Sequence, residues 1–260
     1  MISFEHLLYD LNDGILTITL NRPEVFNALN DKITFELQDA LKKAKADPEV
    51  RVIILTGSGK AFCSGQDLKA TAGQKRSFKE SLDKRYNPII KQMRSMPKPI
   101  IGKINGVAAG AGCSIALACD VIVGKEDTRF IEVFINIGLV PDSGSSYFLP
   151  RTLGTVRAFE MASMGSTVLG KKAEEWGLIN AAVPESEFDQ KVMEYATHFA
   201  KAPTKSIGLI KKMLQKAASS TLEEMLEYEA YCQEIAGNSE DYKEGVTAFL
   251  EKRKPEFKGQ

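Results

Sequence analysis

The feature that most constrains this chain is the alternation of short branched-aliphatic runs with helical periodicity through its first half. GILTITLNRP (14–23) alternates branched and polar residues and stops at a proline, the pattern of a strand. LNDKITFELQDALKKAKAD (29–47) sets Leu29, Ile33, Leu37 and Leu41 at four-residue spacing behind an Asn/Asp start, which predicts an amphipathic helix. RVIILTGSG (51–59) is a short apolar run ending in a Gly-Ser turn, as a buried strand does, and the three segments make a βαβ unit. The rhythm then recurs: KPIIGKINGVAAGAG (98–112) supplies strand and turn, CSIALACD (113–120) a short helix, DVIVGKED (120–127) another strand, and TRFIEVFINIGL (128–139) a further extended or mixed segment. Such alternation predicts an α/β core with parallel strands.

From TVRAFEMASMG (155–165) onward the chain reads as almost wholly helical, including EFDQKVMEYATHFAKA, TKSIGLIKKMLQKAA and TLEEMLEYEAYCQEIAG. The economical division is a core over residues 1–200, carrying the ligand site, and a C-terminal helical region over 201–260. Apolar helix faces that the core cannot cover are expected to bury against a neighbouring subunit, so an oligomer is expected.

Charge narrows the partners. Lysine plus arginine number 34, as do aspartate plus glutamate, so no global field favours nucleic acid or an anionic membrane, and neither is expected as a partner. The opening MISFEHLLYDLNDG carries acids and no basic flank before an apolar run, and PEFKGQ at the other end matches no organelle address. No apolar run approaches the roughly 18 residues of a membrane span. The cytoplasm is the expected compartment. Cys63, Cys113, Cys119 and Cys232 show no CxxC pair and no ligand spacing with His6 or His198, so reduced thiols and no metal are expected.

Two small-residue turns follow predicted strands. In AFCSGQDLKA (61–70), Ser64-Gly65 lets backbone amides approach a ligand; in NGVAAGAGCSIALACD (105–120), Gly110, Ala111 and Gly112 open a short helix. At the ends of neighbouring parallel strands these turns can aim two amides at one oxygen, a device in which each donor is worth about 2.7–4 kcal/mol to a reaction. Close helix–strand packing also calls for Gly and Ala and is the plainer alternative. A dinucleotide site is disfavoured, because Gly106, Gly110 and Gly112 do not fit GxGxxG and no GxxxxGK[ST] occurs.

NIGLVPDSGSSYFLPR (136–151) holds one carboxylate, Asp142. Taken alone, Pro-Asp-Ser-Gly is a tight turn and Asp142 a cap for a helix beginning near Ser143.

Together NRPEVFNAL, AFCSGQDL, KPIIGKINGVAAGAGCSIALACD, GLVPDSGSSYFLPR, AEEWGLINAAV and EGVTAFLEKRKPEF resemble, in order and spacing, the crotonase (enoyl-CoA hydratase/isomerase) superfamily. The resemblance implies a spiral of ββα turns followed by a helical trimerisation region, often assembled as a hexamer of two trimers. It implies an acyl-CoA thioester substrate and no cofactor beyond the coenzyme A of that substrate. Carried over by position, the two oxyanion amides fall on Gln66 and Ala111, and Ser64, Gly65, Gln66, Asp67, Leu68 and Gly110 line the coenzyme A and substrate site. The basic stretch EKRKPEF is a candidate for the coenzyme A 3′-phosphate, or simply a solvated helix end.

Hydratases of the family use two glutamates, whose positions here are Ser114 and Phe134. Neither residue can act as acid or base, which argues against ordinary water addition. Glu132 stands two residues from the second position, where a surface or packing role is the expectation. Asp142 falls where other members place a sole or additional acid. The likeness is greatest to the branch of Δ3,Δ2-enoyl-CoA isomerases and the ring-epoxide (1,2-epoxyphenylacetyl-CoA) isomerase of phenylacetate catabolism, through FCSGQDL, the YNP at Tyr86, NGVAAGAG, GLVPD and DYKEGVTAFLEKRKPEF. The resemblance thus implies an isomerase with Asp142 as catalytic carboxylate. A hydratase is the nearest rival, and a non-catalytic coenzyme A-binding or scaffold protein is the rival from another class. A dehalogenase is disfavoured, since the only tryptophan, Trp176, lies in a packing segment. Residues 71–86 and the C-terminal helices are expected to shape the acyl pocket.

Overall fold

The computed structural model describes residues 4–71 and 77–260. In chain order its strands are β1 (Leu7–Asn12), β2 (Ile15–Leu20), β3 (Val52–Gly57), β4 (Ala61–Cys63), β5 (Ile100–Ile104), β6 (Val107–Ala109), β7 (Val121–Lys125), β8 (Arg129–Ile131), β9 (Thr167–Leu169) and β10 (Ala181–Val183). They form one sheet in the order β1-β2-β3-β5-β7-β10 and a second in the order β4-β6-β8-β9. From β3 to β8 the first strand of each pair joins the large sheet and the second joins the small one, with helical chain after each pair. That repeat is the expected spiral of ββα turns. The β2-β3-β5-β7 pairings are parallel, as are β4-β6-β8.

The helix Asp31–Ala46 starts where the sequence places it, with the Asn30 side chain accepting the Ile33 N–H at 3.0 Å. Ile33, Leu37 and Leu41 are fully buried against the large sheet, each contributing about 1.5–3 kcal/mol by leaving water. Strand β3 is buried along its whole length, which is why VIIL shows no alternation.

Two expectations need correction. The simple βαβ reading misses the second strand of the first two such turns, β4 and β6, because three-residue strands are too short to show a period. The half beyond residue 155 is not wholly helical: β9 pairs antiparallel with β8, and β10 pairs parallel with β7, so the late chain completes both sheets. The segment 128–139 splits into β8 and a 3₁₀ turn, Val133–Ile137.

The last three helices are Thr204–Ala217, Leu222–Gly237 and Glu240–Glu251, and polar contacts anchor the first of them to the core. Arg51 donates to Thr204 Oγ1 at 2.6 Å and to the Ala202 carbonyl at 2.7 Å. The buried Lys211 ammonium donates to Asp120 at 2.7 Å and to the Met93 carbonyl at 2.8 Å. Leu214, Phe249 and Leu250 nevertheless stay largely exposed on this single chain. Among the described residues, no helix is long and apolar enough to cross a membrane.

Candidate active site

Because β4 and β6 are adjacent and parallel, the turns that follow them stand side by side. Gly65 has φ 93°, and a Cβ built there would lie 2.8 Å from the Ala109 carbonyl oxygen and 3.6 Å from the Ala111 nitrogen. Any other residue would push the two turns apart. Ser64, Gly65, Gln66 and Leu68 from the first turn and Gly110 and Ala111 from the second line one cavity of about 360 Å³. Asp67 is not on its wall. Its carboxylate accepts the Ala70 N–H at 3.0 Å and pairs with Arg22 at 3.1 Å, and these contacts, the first above all, hold its pKa below the ordinary value.

The rest of the wall is mainly apolar: Phe78, Leu82, Tyr86, Val133, Phe134, Ile137 and Leu139. Part of the expected acyl-pocket segment is therefore present, with Leu82 and Tyr86 on a π-helical turn. Its residues 72–76 lie outside the described residues.

Asp142 reaches this wall and is the only carboxylate among the described residues that line it. It does not cap the following helix. That helix begins at Ser145, its N-cap is Gly144, and no side chain caps it. Gly144 adopts φ 92°, where a Cβ would lie 2.7 Å from the Phe148 ring, so the turn demands glycine. The Asp142 carboxylate accepts the Ser143 hydroxyl at 2.8 Å. Burial raises its pKa above the ordinary carboxylate range, with the Ser143 hydrogen bond pulling the other way.

Phe134, which the resemblance sets at the second acid position, also lines the cavity with its apolar ring. Ser114, at the first acid position, is fully buried and does not reach the wall. Its hydroxyl lies 3.0 Å from the Asp142 main-chain carbonyl oxygen and 2.8 Å from Ser145 Oγ.

Glu132 departs from the surface half of its expected role. It is completely buried, also off the cavity wall, with Ser145 Oγ 2.9 Å from its Oε1. Its pKa is raised to about 7, chiefly by burial, with the Asp142 charge adding to the rise. Placing Glu132 on extended chain hid this, since β8 ends at Ile131 and the 3₁₀ turn that begins at Val133 redirects the chain.

The remaining candidates stand apart. All four cysteines are buried free thiols, and burial pushes Cys63 up to about 12. No cluster of three His, Cys, Asp or Glu able to hold a metal occurs among the described residues. His6 and His198 are not on the cavity wall. Trp176 packs against the core under Arg157 and Lys172. In the basic C-terminal stretch, Arg253 is engaged by Glu244 at 2.6 and 2.9 Å.

The spiral is the crotonase fold: the structure superposes with a TM-score of 0.94 on the crystal structure of an enoyl-CoA hydratase from Bacillus anthracis, at 31% identity over 98% of this chain and 100% of that one. The family model described as enoyl-CoA hydratase/isomerase matches residues 10–260, and the chain belongs to that family of enzymes. The chain is 38% identical over 260 residues to a 1,2-epoxyphenylacetyl-CoA isomerase from Escherichia coli K12, covering 98% of this chain and 99% of the other. It is also 40% identical over 259 residues to a Rhodobacter capsulatus protein named "Probable enoyl-CoA hydratase", covering 100% of both.

Proposed function

We propose that this enzyme is an acyl-CoA isomerase, of the Δ3,Δ2-enoyl-CoA or 1,2-epoxyphenylacetyl-CoA type, that works with one carboxylate. The thioester carbonyl sits between the Gln66 and Ala111 N–H groups, with Ser64, Gly65, Leu68 and Gly110 lining the bound acyl-CoA and Asp67 bracing the turn through Arg22. Asp142 removes a proton from the α-carbon, and the electron pair of that bond moves onto the carbonyl oxygen as an enolate. The enolate then takes the same proton back from Asp142 at the γ-carbon while the 3,4 double bond shifts to 2,3. One group serves as base and then acid, worth about 10²–10⁴-fold in such reactions. With an epoxide-bearing thioester, the same carbonyl polarisation and carboxylate assist opening of the three-membered ring. No cofactor is required beyond the coenzyme A of the substrate.

The observation that carries this reading is the solitary carboxylate on an otherwise largely apolar wall, with Phe134 in place of a second acid. The apolar wall supports it chemically, because burial makes Asp142 a stronger base than an aspartate in water.

A hydratase is the second reading, favoured by the names of several relatives. Product identity separates the two. With a 3-enoyl-CoA the protein is expected to release the conjugated 2-enoyl-CoA, and with crotonyl-CoA to form 3-hydroxybutyryl-CoA slowly or not at all. Rapid formation of the hydroxy product would replace isomerase with hydratase.

A further inference from the structure

Among the described residues, Glu132 is the one carboxylate with no exposed surface, the proposed chemistry leaves it unused, and it sits at the end of a line of oxygens that leads to Asp142. Glu132 Oε1 is 2.9 Å from Ser145 Oγ, Ser145 Oγ is 2.8 Å from Ser114 Oγ, and Ser114 Oγ is 3.0 Å from the Asp142 carbonyl oxygen. Each of these gaps is a hydrogen-bond distance and needs one proton. The two serine hydroxyls bring one proton each, and the terminal carbonyl brings none. Two protons cannot fill three gaps. If Glu132 were ionised, Ser145 would donate to it, and either the contact between the serines or the one to Asp142 would set lone pair against lone pair. If Glu132 keeps its own proton, each of the three gaps is filled in one direction: Glu132 O–H to Ser145, Ser145 to Ser114, Ser114 to the Asp142 carbonyl, the last proton being shared with the more distant Gly110 carbonyl oxygen at 3.3 Å.

A second observation agrees. The other oxygen, Oε2, is buried with no hydrogen-bond partner. A carboxylate would leave half a negative charge there unsolvated, whereas an acid leaves only a carbonyl. The titratable groups acting on Glu132 are the Cys113 thiol, from the helix Ala111–Leu117, and the Asp142 carboxylate, from the turn before the helix Ser145–Met164. No Lys, Arg or His pairs with it among the described residues. Burial, the largest influence, and the Asp142 charge disfavour the anion, and they outweigh the Ser145 and Cys113 hydrogen bonds that favour it.

We propose that Glu132 is a positioning residue that stays a neutral carboxylic acid, donating the first hydrogen bond of a Glu132–Ser145–Ser114 relay that fixes the backbone of Asp142 against the cavity. Losing the proton breaks the relay at one contact and adds a negative charge behind the catalytic turn. Activity then falls at alkaline pH for a reason located in Glu132, which touches no substrate. The dependence on catalysis rests on the proposed role of Asp142; the protonation state does not.

The test therefore has one arm that needs no turnover. The infrared difference spectrum between wild type and E132Q is expected to show the stretch of a protonated carboxyl group at pH 6, fading as pH rises through about 7. In kinetics, wild-type kcat/KM for a 3-enoyl-CoA is expected to decline above that pH. E132Q, whose amide N–H still donates to Ser145 but does not titrate, keeps the acidic-side rate within about threefold and lacks the alkaline decline. E132M, similar in size but with no donor, loses about tenfold or more in kcat with KM little changed, the usual result of misplacing a catalytic group. Absence of the protonated band overturns the proposal whether or not the chain is an isomerase. An alkaline decline that E132Q retains, or a band in a wild type with no decline, overturns the link to Asp142.

Discussion

The Asp142 carboxylate sits between two opposed influences. The surrounding wall lifts its proton affinity, and the Ser143 hydroxyl 2.8 Å away lowers it. Since the base must be ionised to take the α-proton, kcat/KM should rise with pH through the raised pKa of Asp142. Ser143→Ala deletes the group that stabilises the anion, so the pKa rises further and the acidic limb of the profile should move to higher pH. A limb that stays in place would mean that another group sets it. At this scale the sequence was informative about position and silent about surroundings. Asp142 is legible as the candidate acid because the resemblance sets Ser114 and Phe134 at the other acid positions, and Pro141 and Gly144 flank it in a turn. Glu132 was not legible: a glutamate on an extended segment has no local signature of burial, which here comes from Ser145 and Cys113 on other elements.

Among the elements, the contact between the turn after β4 and the turn after β6 has little tolerance. Gly65→Ala would place a methyl 2.8 Å from the Ala109 carbonyl oxygen on a backbone already at φ 93°. The strain is of order 1–3 kcal/mol. Relief by separating the turns would pull the Gln66 and Ala111 amides apart. The expected result is a lowered melting temperature together with a fall in kcat of about 10²-fold or more, the scale set by loss of one oxyanion donor. A variant that loses stability but keeps kcat would show that the turns do not share one oxyanion. The long elements were readable because Leu29, Ile33, Leu37 and Leu41 repeat at helical spacing and β3 is a continuous apolar run. β4, β6, β9 and β10 were not, since three residues cannot display a period and their pairing partners are distant in the chain.

For the whole molecule, the C-terminal helices leave Leu214, Phe249 and Leu250 at 71%, 82% and 74% exposure. Apolar side chains this bare call for a partner surface. We propose a homotrimer, or a hexamer of two trimers, and light scattering should give a mass three or six times the 28.6 kDa of one chain. A monomeric mass at micromolar concentration would contradict this. In the proposed mechanism the spiral brings the turns together, the turns hold the thioester, and Asp142 moves the proton. That mechanism is tested most directly by comparing wild type and Asp142→Asn for turnover of a 3-enoyl-CoA and for binding of the conjugated product. Asn keeps the shape and cannot act as a base, so turnover should fall by about 10²–10⁴-fold with binding retained. Equal turnover in the two proteins would contradict the account.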